Sequence, residues 1–116
     1  MDINITDGEV YIPPVGGNET VVKPVTFTLQ YLTVEDQTEV EYFEFIQSKN
    51  NRINAKMNNR DIFRRSVLKI ENLSVNGKII TTVEDYLNIR GSKLLAEMLA
   101  DVAVHVYKAM SVDIKN

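Results

Sequence analysis

The longest regular pattern of hydrophobic and polar positions runs from Ser92 to Met110. Apolar side chains recur there at steps of three or four residues, which places them along one side of a helix. The residues of this stripe are Leu95, Met98, Leu99, Val102, Val106 and Met110. Alanines and further aliphatic residues widen this apolar stripe. The rest of the helix surface is then a narrow row of polar residues, which we call the polar seam. We therefore predict a central helix at 92–110 that is covered on two sides, by the rest of the chain or by another subunit.

Residues 25–32 carry the clearest strand pattern of the chain. Phe27, Leu29 and Tyr31 alternate with polar residues, so one face of the strand is expected to be buried and the other solvated. Thr33 then has the character of a helix N-cap, because acidic residues follow it in the first turn. This favours a helix from 33 to about 47, although the β-branched and aromatic residues at 40–45 leave a strand open as the alternative.

The first 24 residues contain turn and loop signals. Asp7-Gly8 lies between two short β-prone runs at 3–6 and 9–12, and it predicts an N-terminal hairpin with a type I′ turn. The proline- and glycine-rich segment 13–18 cannot continue a strand ladder and predicts a loop or an extended arm. A further short strand is predicted at 20–23.

A second hairpin is predicted within residues 66–81, with Asn76-Gly77 at its turn. That turn pairs Val75 with Lys78 and Leu73 with Ile80. Because side chains alternate across a strand, Leu73, Val75 and Ile80 are expected on the buried face.

Thr81 and Glu84 stand at the spacing of a capping box, which predicts a short helix over 83–89 with Val83, Tyr86 and Leu87 pointing inward. Gly91 is expected to end this helix in a left-handed conformation. Ser92 is then expected to begin the final helix at once.

Together these elements predict one α+β domain over residues 1–116. Its small antiparallel sheet comprises the N-terminal hairpin, the strand at 25–32 and the hairpin at 66–81. The sheet packs against three or so helices, the longest at 92–110. Residues 1–24 are a candidate extended arm.

The composition narrows the functional classes. With 116 residues the chain is long enough for one domain with a substantial core. It has no cysteine, which excludes disulfides, thiolate metal sites and cysteine nucleophiles. The chain has a single histidine, His105, and no Gly-x-Ser-x-Gly motif that would mark a serine nucleophile for it to activate, so we expect no enzyme. There is no export signal and no apolar run of membrane-span length, so we expect a soluble, cytosolic protein.

Charge is sorted along the chain. Residues 1–47 carry a net charge of −8, residues 48–69 carry +6 and the remainder carries −1. Blocks of opposite sign suggest complementary faces that meet within a subunit or between subunits. Residues 48–61 form either a helix or a long polar loop. In the helical case one basic stripe comprises Lys49, Arg52, Lys56, Arg60 and Arg64.

Two segments resemble ligand sites but have simpler explanations. Glu97, Asp101 and His105 share the polar seam of the final helix. Since the sequence offers no second carboxylate–histidine pair, we prefer a solvated face and expect no metal and no cofactor. The basic run at 49–69 could attract phosphates, but Phe63 is its only aromatic residue and the chain is acidic overall. We therefore expect an acidic protein partner or a neighbouring copy in preference to nucleic acid.

The order of elements in the second half of the chain resembles that of a known family. The tail assembly chaperones of long-tailed bacteriophages have a similar C-terminal half, and the strand at 25–32 with its Thr33 cap is similar to their N-terminal portion. The matching segments are Ile70-Glu71-Asn72-Leu73, Val75-Asn76-Gly77-Lys78-Ile79, the Thr81/Thr82 cap, Asp85-Tyr86-Leu87 and the helix that follows. The Asn-rich basic segment and the Pro-Pro-Val-Gly-Gly region depart from the family.

The resemblance implies a non-enzymatic protein of the host cell cytoplasm that coats the helical tape-measure protein before the tail tube polymerises and then leaves. We expect it to self-associate and to contact its partner through two sets of residues. These are the helix stripe Leu95, Met98, Leu99, Val102, Val106 and Met110, and the basic residues Arg52, Lys56, Arg60 and Arg64. Two alternatives remain: a structural subunit of the tail or neck retained in the virion, with its N-terminal arm on a neighbour's sheet edge, and a small acidic inhibitor of a host nucleic-acid enzyme.

Overall fold

The structure, a computed structural model, describes residues 2–3, 7–39 and 57–111. Its strands are β1 (Glu9–Tyr11), β2 (Thr26–Leu29), β3 (Val67–Glu71), β4 (Ser74–Val75) and β5 (Lys78–Ile79). Its helices are α1, which is helical over 34–39, α2 (Asn59–Ser66), α3 (Val83–Leu87) and α4 (Lys93–Ser111). A 3-10 helix spans Val15–Thr20. The fold is α+β, as the sequence predicts.

Strands β1, β2 and β3 form an antiparallel sheet in that order. Its register places Tyr11 opposite Phe27, and Phe27 opposite Ile70. Phe27 and Ile70 are fully buried, so the alternation in the predicted strand at 25–32 identified the inner face of the sheet correctly.

The predicted N-terminal hairpin lies only partly within the described residues. Gly8 has the positive φ, 88°, that the predicted turn requires, and its backbone N–H donates to the carbonyl of Leu29 at 2.8 Å. Gly8 therefore lies beside the end of β2. Most of the other strand of that hairpin, at 3–6, lies outside the described residues.

The second hairpin is confirmed in its turn and register. Asn76 and Gly77 have positive φ values of 51° and 81°, as a type I′ turn requires. Val75 lies opposite Lys78, and the backbone N–H of Ile80 donates to the carbonyl of Leu73 at 2.9 Å. The hairpin is shorter than the predicted 66–81, however, since β3 pairs with β2.

Helix α1 begins at the predicted cap. The hydroxyl of Thr33 accepts a hydrogen bond from the backbone N–H of Asp36 at 3.1 Å. The choice between helix and strand at 40–45 lies outside the described residues.

Helix α2 begins within the polar segment 48–61 and continues past its end. Asn58 caps it: its side chain accepts from the N–H of Asp61 at 3.0 Å, and Asp61 accepts in return from the N–H of Asn58 at 3.3 Å. The helix ends at Ser66, and β3 begins at the next residue. Ser66 is fully buried; its hydroxyl donates to the carbonyl of Ile62, and its own carbonyl accepts from the N–H of Gln30 at 2.8 Å.

The junction between α3 and α4 follows the predicted pattern with two corrections. Helix α3 ends at Leu87 with Asn88 as its C-cap, so it is shorter than the predicted 83–89 and Gly91 does not end it. The cap of α3 is Thr82 and not Thr81, because the Thr82 hydroxyl accepts from the N–H of Asp85 at 3.1 Å. Gly91 has a φ of 79°, and the hydroxyl of Ser92 accepts from the N–H of Leu95 at 3.1 Å. The final helix therefore begins where the sequence places it.

Residues 13–24 pack on the domain as the 3-10 helix and bends, and the strand predicted at 20–23 is not formed. Asn18 explains this conformation. Its side-chain amide donates to the carbonyls of Pro13 and Val25, both at 3.0 Å, and its oxygen accepts from the N–H of Val25 at 2.8 Å. With its polar atoms paired in this way, Asn18 is buried at the base of the segment.

Helices α2 and α4 pack against each other and, with the inner face of the sheet, enclose one core. At its centre the rings of Phe27, Phe63 and Tyr86 contact one another, with centroids 5.0–5.8 Å apart. The Tyr86 hydroxyl donates to the carbonyl of Leu95 at 2.6 Å, which ties α3 to the first turn of α4. No helix among the described residues has the length and apolar character needed to cross a membrane.

Candidate interaction surfaces

The apolar stripe of α4 forms the core of the domain itself. Leu95, Met98, Val102 and Val106 are buried, and Val102 and Val106 are fully enclosed. Leu99 and Met110 are partly buried against the same core. The expectation that these residues meet a partner is corrected here, because α2 and the sheet already cover the stripe.

The apolar side chains of α4 that lie outside this stripe are only partly covered. Leu94 and Val104 are 45% and 40% exposed. Leu94 lies beside the 3-10 helix. Its Cδ1 would be only 2.5 Å from a Cβ atom placed on Gly16.

The polar seam of α4 is covered by strand β1. The hydroxyl of Tyr11 donates to Oδ2 of Asp101 at 2.6 Å, and its ring stacks on the imidazole of His105. Nε2 of His105 lies 3.1 Å from Oε1 of Glu9, which also accepts from the hydroxyl of Tyr31 at 3.1 Å. These side chains hold the edge strand against the helix, so two of the three seam residues are engaged in structure.

Burial, followed by the hydrogen bond to Asp101, raises the pKa of Tyr11 above its ordinary value. The phenol therefore keeps its proton and acts as a donor to the carboxylate. Within the described ranges no group of three metal-binding side chains comes together.

The basic stripe is only partly described, since Lys49, Arg52 and Lys56 lie outside the described residues. Arg64 pairs with Glu84 at 3.1 Å, and the neighbouring Arg65 contacts Asp36 and Glu39 of α1. The basic block thus meets part of the acidic block within the chain. Exposed pairs of this kind contribute little stability, about 0–1 kcal/mol each. Arg60 is exposed on α2.

The outer face of the three-stranded sheet is a surface that the sequence analysis did not identify. Side chains alternate along β1, so Val10 points away from the core, and it is 60% exposed. It lies opposite Thr28, which lies opposite Lys69. A bulge in β3 leaves Leu68 unpaired in this row, and Leu68 is 53% exposed.

We call Val10, Thr28, Leu68 and Lys69 the outer sheet patch. The sequence does not indicate the outward orientation of Val10, because a valine next to the charged Glu9 is expected on the buried face of a strand. The bulge could not have been found from sequence, because no short motif marks it.

No protein-family model matches the chain, and comparison with curated proteins and with solved structures found no match.

Proposed function

We propose that this protein is a non-enzymatic tail assembly chaperone of a long-tailed bacteriophage, which holds the tape-measure protein in the host cell cytoplasm until the tail tube forms. The resemblance of its second half to that family supports the proposal. The order of β3, the Asn76-Gly77 hairpin, capped α3 and long α4 is the order on which the resemblance rests.

The observation that carries the proposal is the exposure of two aliphatic side chains, Val10 and Leu68, on one side of a sheet. A face of this kind can receive the apolar side of an amphipathic helix, and tape-measure proteins expose such helical seams. Lys69, which belongs to the patch, pairs with Glu71 at 3.6 Å, and these charges can select the register of the bound helix. The binding surface is thus the outer sheet patch, in place of the buried stripe of α4.

Co-expression of the full chain with overlapping tape-measure fragments tests the proposal. We expect one or more helical fragments to co-purify with the wild-type chain and to remain in solution. The double variant Val10→Thr, Leu68→Gln should lose most of the fragment, because both changes remove exposed apolar area and leave the inner face intact. A control variant, Val22→Thr with Ile79→Gln, changes two side chains that are 98% and 71% exposed elsewhere and should retain it.

Failure of every fragment to co-purify, or equal loss in both variants, would count against the chaperone. The second candidate is a structural subunit kept in the virion, and the position of β1 at the edge of the three-stranded sheet favours it. An edge strand offers unpaired backbone groups that a neighbouring subunit can bind. Mass spectrometry of purified particles separates the two, since a chaperone is absent and a structural subunit is present in many copies.

A further inference from the structure

A cleft of about 280 Å³ lies between the β4–β5 hairpin and the connection from α3 to α4, and it shares no residue with the outer sheet patch. Its aliphatic lining consists of Val75, Ile80 and Ile89, which are buried or partly buried. The rest of the lining is polar and comprises Asn76, Lys78, Asp85, Asn88 and Arg90. The cleft therefore joins a small apolar surface to hydrogen-bonding groups at its rim, as many ligand sites do.

The charges at the rim do not balance. Nζ of Lys78 pairs with Oδ1 of Asp85 at 3.7 Å. Arg90 has no carboxylate within 4 Å among the parts of the chain that the structure describes. The amide of Asn88 is used within the fold, since its Nδ2 donates to the carbonyl of Glu84 at 2.9 Å. Arg90 is thus the rim cation whose planar set of N–H donors is open to a ligand.

We infer that this cleft binds a short acidic–aliphatic peptide segment, in which an aliphatic side chain contacts Val75, Ile80 and Ile89 while the adjacent carboxylate pairs with Arg90. A guanidinium binds a carboxylate through two parallel hydrogen bonds, which fixes orientation as well as charge. Phosphate suits the cleft less well, because it would leave the aliphatic lining unused.

The cleft is bounded by backbone that is already fixed. On one side the lining residue Asn76 lies in a tight turn with Gly77, and on the other side the lining residue Arg90 directly precedes Gly91, which has a φ of 79°. A ligand therefore has little chain to order on binding, which reduces the entropic cost. The site would serve any partner that carries such a segment, so it stands independently of the proposed binding to tape-measure protein.

Titration of the ¹⁵N-labelled full chain with the peptide acetyl-Leu-Asp-Leu-amide, followed by two-dimensional NMR, tests the site. We expect weak, saturable shifts in the backbone resonances of Asn76, Gly77, Asn88 and Arg90. The matched peptide with Asn in place of Asp should bind about tenfold more weakly, because it cannot form the charged pair. Arg90→Gln should weaken binding of the Asp peptide by about the same factor. Lys108→Gln, which removes an exposed cation in the last turn of α4, should leave binding unchanged.

The site is overturned if the Asp peptide produces no saturable shifts, if the shifts map elsewhere, or if both peptides bind equally. It is also overturned if inorganic phosphate produces the same shifts at lower concentration than the peptide. Arg90→Lys provides a second variant should Arg90→Gln fail to give a folded spectrum. It keeps the charge but lacks the paired donors. Its affinity for the Asp peptide should therefore lie between the affinities of the wild-type chain for the Asp peptide and for the Asn peptide. An unchanged affinity would contradict the role of Arg90.

Discussion

The ring of Tyr11 stacks on the imidazole of His105, with centroids 3.9 Å apart and planes inclined by 12°. The two residues lie 94 positions apart in sequence, on the edge strand β1 and near the end of α4. Their contact, with the adjacent hydrogen bond from Tyr11 to Asp101, attaches a strand of three residues that pairs on one side with β2. The attachment explains how so short a strand is held at the edge of the sheet.

Tyr11→Phe should lower the free energy of unfolding by about 1–2 kcal/mol, because it removes a hydrogen bond to a charged acceptor and keeps the ring. Tyr11→Leu should cost about 0.5–1.5 kcal/mol more, since it also removes the stacking with His105. Urea denaturation followed by circular dichroism measures both values. If both variants are as stable as wild type, β1 does not depend on this contact.

Stability should decline at alkaline pH through Tyr86. Burial raises the pKa of its hydroxyl above the ordinary value of about 10, so the folded state keeps the proton after the unfolded state has lost it. The contribution is fully present below about pH 10 and is lost as pH rises from there towards the folded pKa.

Urea denaturation of wild type and Tyr86→Phe, from about pH 8 to about pH 11, measures this effect. The stability advantage of wild type should be constant up to about pH 10 and should shrink above it. A difference that stays constant over the whole range would show that Tyr86 titrates alike in the folded and unfolded states.

Asn18→Ala should destabilise the protein by about 2–4 kcal/mol, because it removes three hydrogen bonds and leaves backbone groups of the buried Pro13 and the partly buried Val25 unpaired. Asn88→Ala is the matched control. It removes one hydrogen bond at an exposed position and should cost about 1 kcal/mol or less. Thermal and urea unfolding of both variants compare them, and equal costs would mean that Asn18 does not organise residues 13–25.

Val102→Ala and Val104→Ala compare the two sides of α4. Val102 is fully buried, so its truncation should cost about 2–3 kcal/mol from lost burial and the cavity that remains. Val104 is 40% exposed, and its truncation should be close to neutral, since alanine is also the better helix former. The midpoints of urea unfolding give both values. A larger cost at Val104 would reverse the assignment of the buried side.

Elements that depend on a few adjacent residues could be predicted from sequence. The Asn76-Gly77 turn and the start of α4 after Gly91 and Ser92 were placed correctly, because positive φ values and helix caps are local requirements. The cap of α3 was misplaced by one residue, since Thr81 and Thr82 each precede an acidic residue by three positions. Asn58 and Asp61 carried a similar local signal for α2, which the sequence analysis overlooked.

Features that depend on distant pairing could not be predicted. The periodicity of α4 identified its buried side but not what covers it, because α2 and the sheet reach it from remote parts of the chain. The cleft around Arg90 likewise exists only once the second hairpin and the α3–α4 connection are brought together.

The direct passage from α2 into β3 at Ser66 and Val67 restricts how the length of this chain can vary in homologues. Side chains alternate along a strand, so one inserted residue at this junction would point Ile70 towards solvent unless the bulge at Leu68 absorbed it. We therefore expect natural insertions and deletions between α2 and β3 to be compensated at position 68.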